Sequence, residues 1–239
     1  MDIATSFGTA AQAYERARPV YPAEAVRWLL PRPGAIVLDV GAGTGKLTGR
    51  LVREGHDVRA VDPDATMLKT LSRRLPSVAT TVGSAEALPV DDMSIDAVTF
   101  GQSWHWVDPV SASRETARVL RPGGLIGLFW NIRDESVDWV RELSTIMHSS
   151  AAERLLSEGP PEVAPPFVDL EHRTWEWTAA LSAEALVDLA ASRSHVIALD
   201  ADARDAVLAR VRALGERVAD AEGMVQLPYR THVFRALRP

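Results

Sequence analysis

The residues best suited to hold a ligand lie in one turn, where Gly41, Gly43 and Gly45 follow the apolar run 36–40. Glycine accepts left-handed backbone angles and lets a ligand approach the main chain closely. Residues 46–54 then resemble a helix, whose first N–H groups would point at that ligand. The pattern predicts a nucleotide-type cofactor site at the end of a first parallel strand. A glycine-rich turn without a ligand is the alternative.

The glycine spacing separates this turn from two other ligand-binding loops. A dinucleotide fingerprint, G-x-G-x-x-G, needs its third glycine where Lys46 stands. A P-loop that ends at Gly45-Lys46 needs a glycine in place of Val40 and a hydroxyl in place of Leu47. What remains is D-x-G-x-G-x-G, which begins at Asp39. This spacing argues against an NAD-dependent oxidoreductase.

A second short strand, predicted over 58–62, ends in a carboxylate at Asp62. A carboxylate at the tip of the second strand suits two hydrogen bonds to a ribose diol. Capping of the following helix, predicted over 64–75, is the alternative for Asp62. We assign that capping role to Asp64.

Three more segments, with the glycine turn, resemble the type 11 group of class I S-adenosylmethionine-dependent methyltransferases. Residues 82–89 are similar to the group's Gly-Asp-Ala-Glu-x-Leu-Pro segment, and 94–100 to its Phe-Asp-x-Val fourth strand. Residues 120–124 are similar to its Leu-Lys-Pro-Gly-Gly turn. The resemblance implies S-adenosyl-L-methionine as the cofactor and methyl transfer as the reaction.

The resemblance also implies which residues bind the cofactor. Ser84 stands where the group has an acidic residue, so the expected adenine contact is the backbone N–H of Ala85. Met67 is expected to pack on the adenine, with ordinary helix core as its alternative. The full predicted set is Tyr14, Arg18, Asp39, Gly41, Ala42, Gly43, Thr44, Asp62, Pro63, Met67, Ser84, Ala85, Glu86 and Gln102.

Residues 13–22 are similar to the N-terminal Tyr-x-x-x-Arg-Pro-x-Tyr-Pro segment of small-molecule methyltransferases related to trans-aconitate methyltransferase. In that subgroup the segment folds over the cofactor. The resemblance therefore places Tyr14, Arg18 and Tyr21 near the methionine end, with Arg18 as a carboxylate partner. A surface-tethered arm is the alternative.

The segment after the fourth strand, residues 101–108, resembles the group's His-Trp-Phe-Asp segment. His105 is the candidate catalytic residue, either as a base or as a group that orients the acceptor, because an unperturbed imidazole titrates at about 6.5. A purely structural role in the turn is the alternative. Gln102 is expected near the methionine amine or the acceptor. Asp108, just before Pro109, is expected to cap the next helix.

Aromatic side chains cluster near the predicted strand tips. Trp104, Trp106 and Trp130 are expected to wall an apolar acceptor pocket, and core packing is the alternative for each. The histidines at 148, 172, 195 and 232 lack H-x-x-x-H spacing, so we expect no metal.

Strand and helix signals alternate from residue 22 to 131, which predicts βαβ units and a parallel sheet. The resemblance extends this to a Rossmann-like, doubly wound α/β fold with seven strands and a helical cap insertion. We expect a single domain over 1–239, with an N-terminal arm and helix (1–30), a cofactor-binding half (31–131) and a cap and sheet-closing part (132–239). Beyond 131 the predicted elements are a helix over 137–157, a loop over 158–168, a strand over 173–177, helices over 183–191 and 201–221, and sheet-closing segments over 225–237.

Composition narrows the functional class. The chain has 239 residues, no cysteine and a net charge of −6, so we expect no disulfide framework and no binding to nucleic acid or to an anionic membrane. No signal peptide or apolar membrane span is visible, and a cytoplasmic enzyme is the default. The expected partner is a small-molecule methyl acceptor. A cofactor-binding protein without catalysis is the other alternative, and the acceptor, the methylated atom and the oligomeric state stay open.

Overall fold

The computed structural model describes residues 19–239 and contains seven strands in that range. Their bounds are β1 Ile36–Val40, β2 Asp57–Asp62, β3 Ala79–Val82, β4 Ile95–Gly101, β5 Leu120–Arg133, β6 Val168–Ser182 and β7 Met224–Leu237. They form one sheet in the order β3–β2–β1–β4–β5–β7–β6. β7 runs antiparallel to both of its neighbours, while β1 to β5 are mutually parallel. The expected α/β fold with seven strands is confirmed.

The helices flank this sheet and extend beyond its last strands. Their bounds are α1 Ala23–Leu29, α2 Lys46–Arg53, α3 Ala65–Arg74, α4 Pro109–Val119, α5 Asp138–Met147, α6 Ala151–Glu158, α7 Ala183–Ala191, α8 Ser194–Ile197 and α9 Ala201–Val218. A 3₁₀ turn spans Trp104–Trp106. In the described range, no helix is both long and apolar enough to cross a bilayer.

Two of the four apolar clusters in the described range position the two sides of the site. The first lies around β1, β4 and β5, whose strands are buried on both faces and therefore read as nearly continuous apolar runs. The second joins α5, α7 and α9 to β7 and contains Leu143, Leu186, Val211, Leu214 and Leu227. The helices of this second cluster form the helical cap, which lies next to the carboxyl ends of β1 and β4.

The largest departure from the predicted elements is in the cap. The helix predicted over 137–157 is two helices, because His148 has a φ of +57° and ends α5. Ser150 then begins α6 with a reciprocal capping box: its hydroxyl accepts the N–H of Glu153, and its own N–H donates to the Glu153 carboxylate. The break turns residues 148–150 toward the carboxyl edge of the sheet.

Three smaller differences concern element ends. β6 extends over fifteen residues instead of 173–177, because pairing with β7 satisfies its backbone even where its side chains are exposed. α9 ends at Val218 instead of 221, and the short helix α8 was not predicted. The predicted caps Asp64 and Asp108 are confirmed, since the Asp64 side chain accepts two backbone N–H groups of the following helix and the Asp108 side chain accepts one.

Candidate active site

The glycine turn carries β1 into α2 with left-handed backbone angles. Gly41 has a φ of +66°, and a Cβ there would lie 2.4 Å from the Ser103 Cβ, so the turn after β4 leaves no room for a side chain. Gly43 has a φ of +55°, and a Cβ there would meet no heavy atom within 4 Å. The first glycine permits close packing of two loops, while the second faces open space.

Two cavities lie on either side of this turn. The smaller, of about 270 Å³, is bounded by the ends of β2 and β3 and by the turn after β4. The larger, of about 530 Å³, lies between the glycine turn and the cap. Both are bordered by Gly41, Gly43, Gly101, Gln102 and Trp106, so the two spaces meet along one shared rim.

Asp62 ties the glycine turn to the end of β2. Its Oδ2 accepts the N–H of Gly43 at 2.8 Å, and its Oδ1 accepts the N–H of Asp64 at 2.8 Å. Burial raises the pKa of the Asp62 carboxyl, while these two backbone bonds oppose the rise. Each oxygen retains a second lone pair, and Asp62 lines the smaller cavity.

The structure brings the other residues predicted around the adenine to the same smaller cavity. Its wall includes Met67, which is 4% exposed, and Ala85, which is also 4% exposed. The Glu86 carboxylate accepts the backbone N–H of Asp108 at 3.2 Å, which joins the loop after β3 to the start of α4. The remaining predicted members of this wall are Pro63 and Ser84.

A further group of residues predicted to bind the cofactor lines the larger cavity. Asp39, Gly41, Ala42, Gly43 and Thr44 all border it. Tyr21 borders it too, buried and packed edge-on against Phe129 with ring centroids 5.8 Å apart. Tyr14 and Arg18 lie outside the described residues.

Gln102 lies in the turn after β4 and borders both cavities. Its φ is +58°, a left-handed conformation that is uncommon for a residue with a side chain. Two bonds hold it to β5: its N–H donates to the Phe129 carbonyl at 2.8 Å, and its Nε2 donates to the Asn131 carbonyl at 2.9 Å. The side chain is thereby fixed at the rim between the two spaces.

His105 lies in the 3₁₀ turn and borders the larger cavity. Its Nδ1 accepts the indole N–H of Trp130 at 3.3 Å. An indole nitrogen only donates, so Nδ1 must be unprotonated, and the neutral ring carries its proton on Nε2. This tautomer makes Nε2 the donor of a ring that borders the larger cavity, and it disfavours the predicted role as a base.

The prediction that three tryptophans wall the acceptor pocket is wrong for two of them. Trp104 is 3% exposed and packs edge-on against Phe100, while its indole N–H donates to the Glu162 carbonyl. Trp130 is fully buried on β5, so core packing accounts for both. Trp106, at 43% exposure, does border both cavities.

The far wall of the larger cavity comes from the cap and was not predicted. The helix break after α5 and the segment after α7 contribute residues more than forty positions apart, and the rings of His148 and His195 lie 4.5 Å apart, edge to face. The local signal was Ser150-x-x-Glu153, which marks a helix start but not a cavity. The lining residues contributed by 147–154 and 189–198 are Met147, His148, Ser149, Ser150, Ala151, Ala152, Arg154, Leu189, Arg193, His195 and Ala198.

Comparison with known proteins identifies the family. Residues 38–128 match the family model described as a methyltransferase domain. An uncharacterized methyltransferase of Mycobacterium tuberculosis is 49% identical over 238 residues, which is 98% of this chain and 96% of that protein. The chain belongs to the S-adenosylmethionine-dependent methyltransferases. The oxidoreductase alternative is therefore wrong, as the glycine spacing indicated.

Solved structures of methyltransferases share the fold. A candidate type II methyltransferase from Anaeromyxobacter dehalogenans superposes with a TM-score of 0.64 at 24% identity and covers 92% of this chain and 97% of that one. A phosphoethanolamine N-methyltransferase of Haemonchus contortus, in complex with S-adenosylhomocysteine, gives 0.57 at 17% identity over all of this chain and 60% of that one. At these identities the likeness concerns the fold alone.

The family implies S-adenosyl-L-methionine as the cofactor, and the residues at the smaller cavity suit it. The open space beside Gly43 admits a ligand against the main chain. Asp62 offers carboxylate lone pairs suited to a ribose diol, and Met67 offers an apolar surface suited to a purine.

Asp39 is the most perturbed carboxyl group of the methyltransferase site. It is fully buried at the end of β1, and burial raises its pKa to about 6, against the opposing bonds from Thr48 and Thr99. Thr48 Oγ1 donates to Oδ2 at 2.6 Å, and Thr99 Oγ1 donates to Oδ1 at 2.9 Å. Asp39 thus joins β1 to α2 and β4 beneath the glycine turn.

Asp39→Asn should remove a pH-dependent part of the stability. Because the folded-state pKa is raised to about 6, the native protein takes up this proton before the unfolded chain does. As pH falls from 7 to about 4.5, the parent should therefore gain about 2 kcal/mol relative to the variant. Denaturant unfolding at both pH values measures this difference.

The matched control is Asp91→Asn, which changes an exposed carboxylate in the turn before β4. Its stability relative to the parent should not show this acid-side change. A parent-to-variant difference for Asp39→Asn that is the same at both pH values would contradict the raised pKa.

Proposed function

We propose that this methyltransferase transfers the methyl group of S-adenosyl-L-methionine to a small molecule held in the larger cavity. The observation that supports this is the shared rim, where Gly43 and Gln102 border the smaller cavity on one side and the capped, larger cavity on the other. A cavity of about 530 Å³ beneath helices suits a metabolite. It does not suit a nucleic acid duplex or a folded protein.

In this proposal the smaller cavity holds the adenosine part of the cofactor. Asp62 accepts hydrogen bonds from the ribose hydroxyls, and the N–H of Ala85 contacts the adenine ring. Pro63 and Met67 pack on the purine, with Ser84 and Glu86 beside it. Asp39 and the turn residues 41–44, with Gln102, lie toward the methionine part.

The bound cofactor supplies a methyl carbon made electrophilic by its sulfonium. The chain has to hold the acceptor atom in line with that carbon and to exclude water. His105, with its proton on Nε2, orients the acceptor by donating a hydrogen bond. Trp106 and the cap separate the reacting atoms from solvent.

Other parts of the proposal rest on the sequence. The likeness to trans-aconitate-type enzymes depends on residues 13–22, and in this proposal Tyr14 and Arg18 cover the methionine end. The division into an arm, a cofactor-binding half and a cap within one domain is retained as a prediction, as is the cytoplasmic location.

Calorimetry tests the cofactor half of the proposal. S-Adenosylhomocysteine should bind with micromolar affinity, about −8 kcal/mol, and NAD should not bind. Asp62→Ala should weaken that binding by about 2–3 kcal/mol, since charge-assisted bonds to the ribose and the anchor of the Gly43 N–H are both lost. Binding of NAD without S-adenosylhomocysteine would overturn the proposal.

A metabolite extract incubated with methyl-labelled S-adenosyl-L-methionine tests the acceptor half. Label should appear in a small molecule, and fractionation then identifies it. Label confined to protein or nucleic acid would contradict a small-molecule acceptor. Cofactor binding with no labelled product from any extract would favour the alternative of binding without catalysis.

A further inference from the structure

The larger cavity is basic although the chain as a whole carries a net charge of −6. Within the described range, its lining includes the cationic side chains of Lys46, Arg154 and Arg193, and three histidines. Among the described lining residues, Asp39 is the one with a carboxylate. It is fully buried, and two threonine hydroxyls donate hydrogen bonds to it. Cationic side chains therefore outnumber carboxylates among the described residues that line the space assigned to the acceptor.

One buried charge cluster supplies part of this excess. Arg133 Nη2 lies 2.9 Å from the Glu153 Oε1, and Arg193 Nη2 lies 3.4 Å from the same oxygen. The three side chains are 1%, 9% and 12% exposed for Arg133, Glu153 and Arg193. Two guanidinium groups thus share one carboxylate, and the cluster keeps one uncompensated positive charge.

The donors of this cluster are incompletely used. Arg133 lies at the end of β5, where its guanidinium donates a hydrogen bond to Ser144 and forms an ion pair with Glu153. Arg193 has only the long contact to Glu153, and its buried Nε has no hydrogen-bond partner within the described part of the chain. A buried cation without full pairing is costly, whereas the Arg133–Glu153 pair alone would be neutral. We therefore expect the fold to tolerate loss of the Arg193 charge.

We propose that Arg193 binds an oxyanion of the acceptor, so that the substrates are small carboxylates or phosphate esters. This inference rests on the proposed function, because it names the acceptor class of the same cavity. An incoming oxyanion would accept from the part of the Arg193 guanidinium that borders the cavity and would neutralise the charge that Glu153 leaves unpaired. Arg154, which is exposed along the same wall, adds to the attraction at the entrance.

The position of Arg193 favours the acceptor over the cofactor as the source of the anion. Arg193 lies between α7 and α8 in the cap, whereas the residues assigned to the cofactor come from the ends of β1 to β4. The carboxylate of the cofactor's methionine part is the competing source. An experiment must therefore measure both ligands on the same variants.

Calorimetry with simple probes makes that measurement, on the full chain with and without S-adenosylhomocysteine. The probes are succinate, citrate and glycerol 3-phosphate, with the uncharged succinamide as their neutral counterpart. We expect at least one anionic probe to bind the parent, and its affinity to fall at least tenfold in Arg193→Gln. Succinate or citrate binding would indicate a carboxylate, and glycerol 3-phosphate binding a phosphate ester.

Two further variants keep the result interpretable. Arg217→Gln removes the same charge from an exposed arginine on α9, outside the cavity, and should bind the probes like the parent. Arg193→Lys keeps the charge and should restore part of the affinity. Because Arg193→Gln leaves a neutral Arg133–Glu153 pair, its melting temperature should be equal to or above that of the parent.

Four outcomes would overturn the proposal. These are no binding of any anionic probe, equal binding of succinamide, equal probe affinity in Arg193→Gln, and competition of the probes with S-adenosylhomocysteine together with lost cofactor affinity in Arg193→Gln. The last would assign Arg193 to the cofactor carboxylate. Failure of S-adenosylhomocysteine to bind the parent would instead reject the proposed function, while the probes still report on Arg193 in the unloaded protein.

Discussion

Gly43→Ala is expected to lower the affinity for S-adenosylhomocysteine about 100-fold while the protein stays folded. A Cβ at Gly43 meets no protein atom within 4 Å, so the added methyl group enters the space assigned to the cofactor. The loss corresponds to about 3 kcal/mol, the size of a forced overlap in a packed site. Calorimetry gives the affinity, and a melting curve gives the stability.

The control for this variant is Gly34→Ala. Gly34 has a φ of +89°, and a Cβ added there would also meet open space, so the substitution carries similar backbone strain, about 1–2 kcal/mol, in a turn away from both cavities. Both variants should lose a similar amount of stability, and only Gly43→Ala should lose ligand affinity. Equal affinities in the two variants would show that no cofactor passes beside Gly43.

His105→Ala should lower turnover about 100- to 1000-fold with nearly unchanged cofactor affinity. The Trp130 indole fixes the neutral ring with its proton on Nε2, and loss of one well-oriented donor at a reacting centre has an effect of this size. The measurement is turnover of the acceptor found by labelling, alongside calorimetry with S-adenosylhomocysteine. A stable variant with full activity would remove His105 from the reaction.

His105→Gln separates the donor role from the base role. Glutamine presents an amide donor of similar reach, so the variant should retain more activity than alanine and the pH profile should keep its shape. A base must be deprotonated, so a base at this position would produce an acid limb that the glutamine variant lacks. His172→Gln, at the sheet edge away from both cavities, serves as the matched control.

The parts of the site that the sequence predicts are those with local signals. The glycine turn, Asp62 at a strand end and the caps Asp64 and Asp108 each follow from a few neighbouring residues, and parallel strands bring them to one edge. The prediction of cofactor residues benefits from this geometry, because β1, β2 and β4 are adjacent in the sheet.

The acceptor side depends on contacts that no local pattern encodes. Arg133, Glu153 and Arg193 meet across three elements that are distant in the chain, so the charge cluster emerges only in the folded cap. The prediction for the tryptophans failed for a related reason, because position near a strand end does not show which indole faces the core. The Trp130 bond to His105 then decides the tautomer, which the sequence leaves open.

The position of β7 has a consequence for the order in which the enzyme is assembled during translation. Among the strands of residues 19–239, β6 occupies the edge of the sheet and has β7 as its one neighbour, although β7 is synthesised after it. The nascent chain can therefore form β1 to β5 and the glycine turn early. β6 and the cap helices can pack in place only after residues 224–237, which form β7, have been synthesised. A ribosome-bound intermediate would already resemble a cofactor-binding protein before it has any pocket for an acceptor, and premature termination within β7 would leave it in that state.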